Sequence, residues 1–355
     1  MDLDALNATL QEAGMPAYRQ RQVYHAVTRE LVAGYDEMTA LPKALRAALA
    51  DKVPFNTLVV DQEERSKVDG SVKLRMMTHD GFPLEAVLMT FHGGRHTACL
   101  SSQSGCALAC TFCATGTMGL GRNLTAFEIF DQFLHLARIR AANGGAISNV
   151  VMMGMGEPFH NYDNVLAACR LMNDDNGVNL GARRIAISTA GWVPGIEKIA
   201  DEPMQVKLAL SLHAPNNELR EQLMPVTKKY PLETLMKACR RYRELTSRRI
   251  FIEYLMLEGV NDQPEQAVEL VALLRGGEGF HVNLIAYNPT GSNYVGSPDE
   301  TVVAFAKVLE AGGVQNSYRV SRARDISGAC GQLAAPVAAA RKAAREARAA
   351  RVAQV

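Results

Sequence analysis

From residue 97 to residue 320 the chain repeats one pattern: a short apolar run, a polar or glycine-rich turn, then a longer stretch with apolar residues at helical spacing. The runs fall at 97–100, 150–153, 184–188, 206–212, 250–257 and 281–286, with a last one near 318–320. Helical patterns over 126–140, 162–172, 232–245, 264–274 and 299–309 separate most of them. Short apolar strands alternating with helices predict parallel βα units. Six or so of these predict an α/β fold of the incomplete (βα)6 type, a TIM-like barrel that does not close. Chemistry in such a fold collects where the strands end. "GMGEP" after Met153, "STAG", "SLHAPN" and "YNPTG" all fall at those ends.

The first ninety residues read differently. Val23, Val27 and Leu31 have helical period, Gly34-Tyr35-Asp36 breaks the pattern, and Pro42 can open another helix. "SVKLRMMTHDGFPLEAVLMTF" alternates apolar and polar residues around Asp80-Gly81, which predicts a β-hairpin. We therefore expect an accessory helical module with a hairpin over 1–90, the partial barrel over 91–335, and a basic, Ala-rich tail over 336–355. That tail concentrates charge: "RKAAREARAAR" carries five basic residues against Glu346, in a chain whose net charge is only +1. Both a solvated helix and a phosphate-contacting segment fit it.

With 355 residues, 48% of them hydrophobic, the chain can bury a large core. No stretch nears the roughly 18 apolar residues of a membrane span, and the acidic N-terminus lacks a signal-peptide run. A cytoplasmic, membrane-free protein is expected. Seven cysteines, an odd number in a long chain without a secretory signal, argue against a structural disulfide framework and for metal or redox chemistry.

Three of them, Cys106, Cys110 and Cys113, share one loop with the spacing CxxxCxxC. A closed zinc site wants a fourth ligand that this loop does not offer. A four-iron four-sulfur cluster on three thiolates would leave one iron open to an outside ligand.

The spacing, with Phe112 before the third cysteine, resembles the signature of the radical S-adenosylmethionine enzymes. The likeness extends further. "CLSSQSGCALACTFCATG", "GRNLTAFEI", "MGMGEPFHNYDNV", "ISTAG", "LALSLHAPN", "IEYLMLEGVND", "HVNLIAYNPTG" and "ISGACGQLA", in that order, resemble the RlmN and Cfr family of RNA adenine methyltransferases over roughly residues 16–335. The resemblance implies a 4Fe-4S cluster on Cys106, Cys110 and Cys113, with S-adenosylmethionine on the open iron. It places Gly156 and Glu157 at the cofactor's amino group, Ser188, Ser211, Leu212 and His213 at its ribose and carboxylate, and Asn288 at its adenine. Taken singly, these residues also suit a turn, a helix cap and a satisfied strand-end histidine.

The same resemblance makes Cys330 the carrier of the methyl group and Cys99 its resolving partner. Glu85 aligns with the proton acceptor, with one extra residue between it and Cys99. Adenine C2 and C8 are electron-poor carbons that ordinary displacement on a sulfonium cannot methylate. The family spends two S-adenosylmethionine molecules per turnover: one methylates Cys330, the other yields a 5′-deoxyadenosyl radical that removes a hydrogen from that methyl. The CH2 adds to the base, and Cys99 then attacks Cys330, forming a disulfide as product leaves. Implied partners are RNA (23S rRNA and, in addition, tRNA) presenting an unstacked base, and an electron donor such as flavodoxin or ferredoxin, with the enzyme a monomer. Arg19, Arg21 and Arg122 suit phosphate contacts or plain surface charge. The leading expectation is an RlmN-type methyltransferase acting at adenosine C2. Cfr-type action at C8 is the alternative, and a radical enzyme acting on a small molecule is a further one. Cys169 and Cys239 read as structural.

Overall fold

The computed structural model describes residues 1–91, 93–275 and 279–334. The basic tail lies outside the described residues. The N-terminal module is three helices, α1 (Leu3–Glu12), α2 (Ala17–Thr28) and α3 (Lys43–Lys52). Asp2 caps the first by accepting from the Asp4 and Ala5 amides, and Pro42 precedes the third as expected. The break at Gly34 is a short 3-10 turn, Tyr35–Glu37, whose tyrosine ring meets Phe55 edge-on.

Three antiparallel strands follow: β1 (Leu58–Arg65), β2 (Val72–Thr78) and β3 (Pro83–Thr90). The hairpin is the expected one. β1 escapes the sequence pattern because nearly every residue after Leu58 is exposed, so it carries no alternation to find. β3 then pairs antiparallel with β4 (His96–Cys99), setting Val87 opposite Cys99. One continuous ten-stranded sheet results.

β4 opens the barrel. A small ribbon, β5 (Gln103–Gly105) against β6 (Leu120–Asn123), flanks the cysteine loop, with the one-turn helix α4 (Ala114–Thr117) inside it. The βα units follow in order: α5 (Ala126–Ala142), β7 (Asn149–Met152), α6 (Tyr162–Asn173), β8 (Ile185–Thr189), α7 (Val193–Ala200), β9 (Lys207–Ser211), α8 (Asn217–Leu223), α9 (Leu232–Thr246), β10 (Ile250–Met256), α10 (Pro264–Leu274), β11 (Phe280–Ala286), α11 (Asp299–Ala311) and β12 (Asn316–Arg319). Strands β4, β7, β8, β9, β10, β11 and β12 are all parallel neighbours. The (βα)6 expectation is met, with β12 as a further strand. The sequence pattern missed α7 and α8, which are only eight and seven residues long.

Alternation along each strand sorts the side chains. In β10, Ile252, Tyr254 and Met256 are fully buried beneath the helices, while Phe251 and Glu253 face the barrel interior. Cys169 and Cys239 are wholly buried in the apolar core, as a structural role requires.

The sheet stops at β1 on one side and β12 on the other, so the barrel is open. The segment after β12 crosses that gap. The Ala323 amide donates to Asp69 (2.9 Å), the Lys67 amide to Asp325 (3.1 Å) and the Ala334 amide to Glu85 (2.9 Å), which ties residues 323–334 to the hairpin. This strap carries Cys330.

Candidate active site

The cysteine loop sits against the strap and the strand ends. The Ala114 amide donates to Gly331 O (2.8 Å), Thr115 Oγ1 to Leu333 O (2.6 Å) and the Thr111 amide to Leu223 O (3.0 Å). A Cβ on Gly116 would stand 2.8 Å from Cys110 O, and one on Gly105 would collide with Gly119 O, so both glycines are needed for the loop to close. Cys106, Cys110 and Cys113 are half-buried free thiols. Burial first, then the charges of Glu157 and Cys113, pushes Cys106 up to about 12, and burial with the charges of the other two thiols pushes Cys110 well above its ordinary value. Among the described residues no three ligands are already drawn together around a metal position. The donor chemistry nevertheless fits an iron-sulfur cluster: three soft sulfurs on one pinned loop, with mutual repulsion that a cationic metal would relieve.

At the carboxyl ends of the strands the residues that the family likeness assigns to the cofactor form a rim. Gly156 has φ +100°, and a Cβ there would lie 2.6 Å from Gln103. The Glu157 amide donates to Gln103 Oε1 (2.8 Å), while its own carboxylate accepts from the Ala190 amide (2.8 Å) and the Phe159 amide (3.1 Å). Burial raises that carboxyl to about 7 against these donors. Ser188 and Ser211 are half-buried at the ends of β8 and β9, and Leu212 is fully buried just beyond.

His213 is held at φ +58° and its ring is spoken for on one side: the Leu255 amide donates to Nδ1 (3.0 Å). Burial drops its basicity to about 3, so it is neutral with the proton on Nε2. The ring meets Phe112 edge-on at 4.8 Å, which couples it to the cysteine loop. Asn288 is fully buried, and its Nδ2 donates to Ser321 Oγ (2.9 Å) and Cys330 O (3.3 Å). Its Oδ1 has no partner among the described residues. A free buried acceptor at that position suits the amino group of an adenine, so the rim fits S-adenosylmethionine.

Arg220, which the sequence reading passed over, builds this rim. Its guanidinium is wholly buried and donates to the carbonyls of Ala190, Ser211 and Leu212, joining the ends of β8 and β9. Burial lowers it to about 10.

Below the rim, inside the barrel, lies a cavity of about 500 Å3. Cys99 and Cys330 both line it. Cys99 is buried at the end of β4, and Cys330 opens into the cavity from the strap. They are close enough that the charge of one raises the other. Enclosure is the larger cause, and both thiols rise to about 12. Both are free, so the disulfide implied by the family likeness is no permanent staple; the core around Cys99 packs without it. Glu85 does not line this cavity. Its carboxylate is taken by the Ala334 amide (2.9 Å) and Lys73 (3.7 Å).

Towards the amino ends of the strands the cavity lining becomes basic and aromatic. Arg95, Arg184 and Lys207 meet Phe91, Phe251 and His281, joined by Arg319 from the carboxyl end of β12 and by Arg322 from the strap; Arg95 lies over the Phe91 ring at 4.0 Å and Arg322 at 5.4 Å. Among the described residues Glu253 is the one acidic residue in the lining. Arg122, by contrast, is committed: it pairs with Asp80 (2.6 Å) and Glu128 (2.7 Å). Arg19 is held by Gln22 and Ala40 O. None of the mouth residues forms a contiguous motif. Glu253 did leave a signal, a lone acid inside the apolar run "IFIEYLM".

Residues 100–271 match the model of the Radical SAM superfamily. A protein of Moorella thermoacetica named as a probable dual-specificity RNA methyltransferase RlmN is 45% identical over 341 residues, covering 94% of each chain. One of the same name from Thermus thermophilus is 46% identical over 321 residues, covering 90% of each. A crystal structure of a radical SAM methyltransferase from Sphaerobacter thermophilus superposes with a TM-score of 0.91 at 46% identity, covering 94% of this chain and 98% of that one.

Proposed function

The chain belongs to the RlmN family of radical SAM RNA methyltransferases, and from that premise we propose that it methylates C2 of an adenosine in large-subunit ribosomal RNA, with the methyl group carried on Cys330. The dual specificity in its relatives' name extends the proposal to a transfer RNA. The observation that carries it is the meeting of Cys99 and Cys330 in one cavity whose mouth is lined by cations and aromatic rings. A phosphate backbone suits the cations, and an unstacked base suits the rings and the enclosed interior.

Cys106, Cys110 and Cys113 would hold the cluster, and Glu157, Ser188, Ser211 and Asn288 would hold S-adenosylmethionine. Together these groups supply, when bound, the methyl and the hydrogen-abstracting radical that an unreactive ring carbon requires. The chain's own residues do the rest. Cys330 accepts the methyl on its sulfur and presents it into the cavity. Asn288, by donating to Cys330 O, holds that sulfur below the rim. Once the carbon on Cys330 is joined to the base and the ring carbon has given up its proton, the acceptor role that the family likeness assigns to Glu85, Cys99 is placed to attack the Cys330 sulfur. The bond from that sulfur to the carbon breaks, the carbon takes up a proton to become the product's methyl group, and a disulfide is left for an outside reductant. Glu85 ties the strap to β3 and so fixes where Cys330 stands; in this geometry its carboxylate acts on the strap.

RNA from cells with and without the protein, digested to nucleosides, tests the reading by mass spectrometry. Protein-dependent 2-methyladenosine is expected. 8-Methyladenosine in its place would assign the Cfr-type regiochemistry, and neither product would refute the reading.

A further inference from the structure

The family reading gives the cavity a methyl donor at its inner end but nothing that recognises the base. Among the described residues, three buried side-chain atoms of the lining have no partner: Arg322 Nε, which can only donate, His281 Nδ1, whose role depends on its tautomer, and Glu253 Oε2, the carboxylate oxygen. Glu253 lies in β10, between Ser211 of β9 and Asn283 of β11 in register. It is 4% exposed. Its Oε1 is fully engaged: Asn283 Nδ2 donates to it at 2.8 Å and Arg319 stands 3.7 Å away. Its Oε2 is buried and has no partner among the described residues. Ser317 Oγ donates in turn to Asn283 Oδ1 (2.9 Å), so the anchor that aims the carboxylate is itself held.

A buried carboxylate oxygen without a donor is costly, and its persistence in a substrate cavity points to a donor that arrives with the substrate. Glu253 and Cys330 line the same cavity, so a base presented to the methyl carrier enters the space that the carboxylate borders. The base of an adenosine has one hydrogen-bond donor group, its exocyclic amine; N1, N3 and N7 only accept.

We infer that Glu253 reads the target base by accepting a hydrogen bond from the N6 amine of adenine through Oε2. Asn283 and Arg319 position it through Oε1. The inference rests on the adenosine reading above and adds a specificity-determining contact to it. The contact also sets which purines are refused, since guanine carries an acceptor, O6, where adenine carries the amine, and a carboxylate facing that oxygen is left with two acceptors opposed.

The test is a cycle between protein and substrate. Full-length, cluster-loaded enzyme is given an RNA oligonucleotide whose target nucleotide is adenosine, or the same oligonucleotide with purine riboside, which lacks only the amine. With the wild type, amine removal should lower kcat/KM by about 10- to 100-fold, the range for a charged hydrogen bond. In Glu253→Ala, activity on adenosine should fall while the further loss on amine removal shrinks to less than about threefold; Glu253→Gln, which keeps the shape and one acceptor, should lie between. The cycle cancels any change in intrinsic ring reactivity between the two bases. A merely structural Glu253 would slow both substrates equally and leave the amine penalty at full size in both variants, which would overturn the inference. An absent penalty in the wild type would overturn it without any variant. Failure of the wild type to methylate the adenosine oligonucleotide, by contrast, would count against the function reading itself.

Discussion

The two ends of the barrel are built on different principles. At the carboxyl rim, function is carried by short contiguous stretches that constrain the backbone: Gly156 at φ +100°, Gly191 at φ +102° and His213 at φ +58° bend the chain as it leaves β7, β8 and β9, and Arg220 pins three of the resulting carbonyls. At the amino-end mouth there is no motif. Arg95, Arg184, Lys207, Phe251 and His281 come one at a time from the beginnings of separate strands, or from just before them, and meet only when the sheet curls. The rim must fit one invariant cofactor, so its geometry is fixed locally. On the proposed function the mouth accepts a flexible charged polymer, for which scattered cations and ring faces suffice.

If this division is right, substitutions at the two ends should fail in different ways. The largest effect belongs to the rim: Cys110→Ala should take anaerobically prepared protein from about four irons per chain to almost none, whereas a mouth double variant, Arg184→Ala with Lys207→Ala, should keep its iron. Stoichiometric zinc with no visible absorption in the wild type would break the division at its root. Next, Glu157→Gln should weaken S-adenosylmethionine binding about 10- to 100-fold, through loss of a charged acceptor, with RNA affinity little changed; equilibrium dialysis with each ligand separates the two.

A smaller effect is expected at the mouth. The Arg184→Ala, Lys207→Ala enzyme should show a KM for RNA raised roughly five- to tenfold and a log–log salt slope shallower by about one to two, since two phosphate-facing charges have gone. An unchanged slope would return these residues to ordinary surface charge.

The finest distinction concerns protonation between the ends. Cys330 is exposed as a residue, but desolvation of its sulfur in the cavity raises it from the ordinary thiol value to about 12, which makes it a neutral thiol at physiological pH that becomes reactive as pH rises. Alkylation at Cys330, followed by peptide mass spectrometry on cluster-free protein, should therefore accelerate about tenfold per pH unit from 7 to 10 with no plateau. A plateau near 9 would mean that the cavity does not enclose the sulfur as described.

The contrast also explains what the sequence could disclose. The βα alternation, the hairpin and the rim motifs are legible because their determinants are local: an apolar run, a turn-forming Asp80-Gly81, a glycine where a Cβ would collide. β1 is illegible because an exposed edge strand such as "LVVDQEER" buries almost nothing and so carries no pattern. Arg122 looks like an available cation in the sequence, and only the fold shows Asp80 and Glu128 consuming it. The mouth is invisible for the same reason: Lys207 and Phe251 come together only once β9 and β10 pair in register. Glu253 sits inside a stretch that reads as plain strand, and nothing local says that one of its oxygens is left without a donor.

The central claim is that the methyl group passes through Cys330 and is released by Cys99. The direct test incubates Cys99→Ala, Cys330→Ala and the double variant with RNA, S-adenosylmethionine and reductant, and resolves the products on denaturing gels. Cys99→Ala should stall with RNA covalently attached, as a slow band that ribonuclease shortens. Cys330→Ala should give neither adduct nor methylated RNA, and the double variant should match it, because the resolving step lies downstream of the one already lost. Normal methylation by Cys330→Ala would contradict the account.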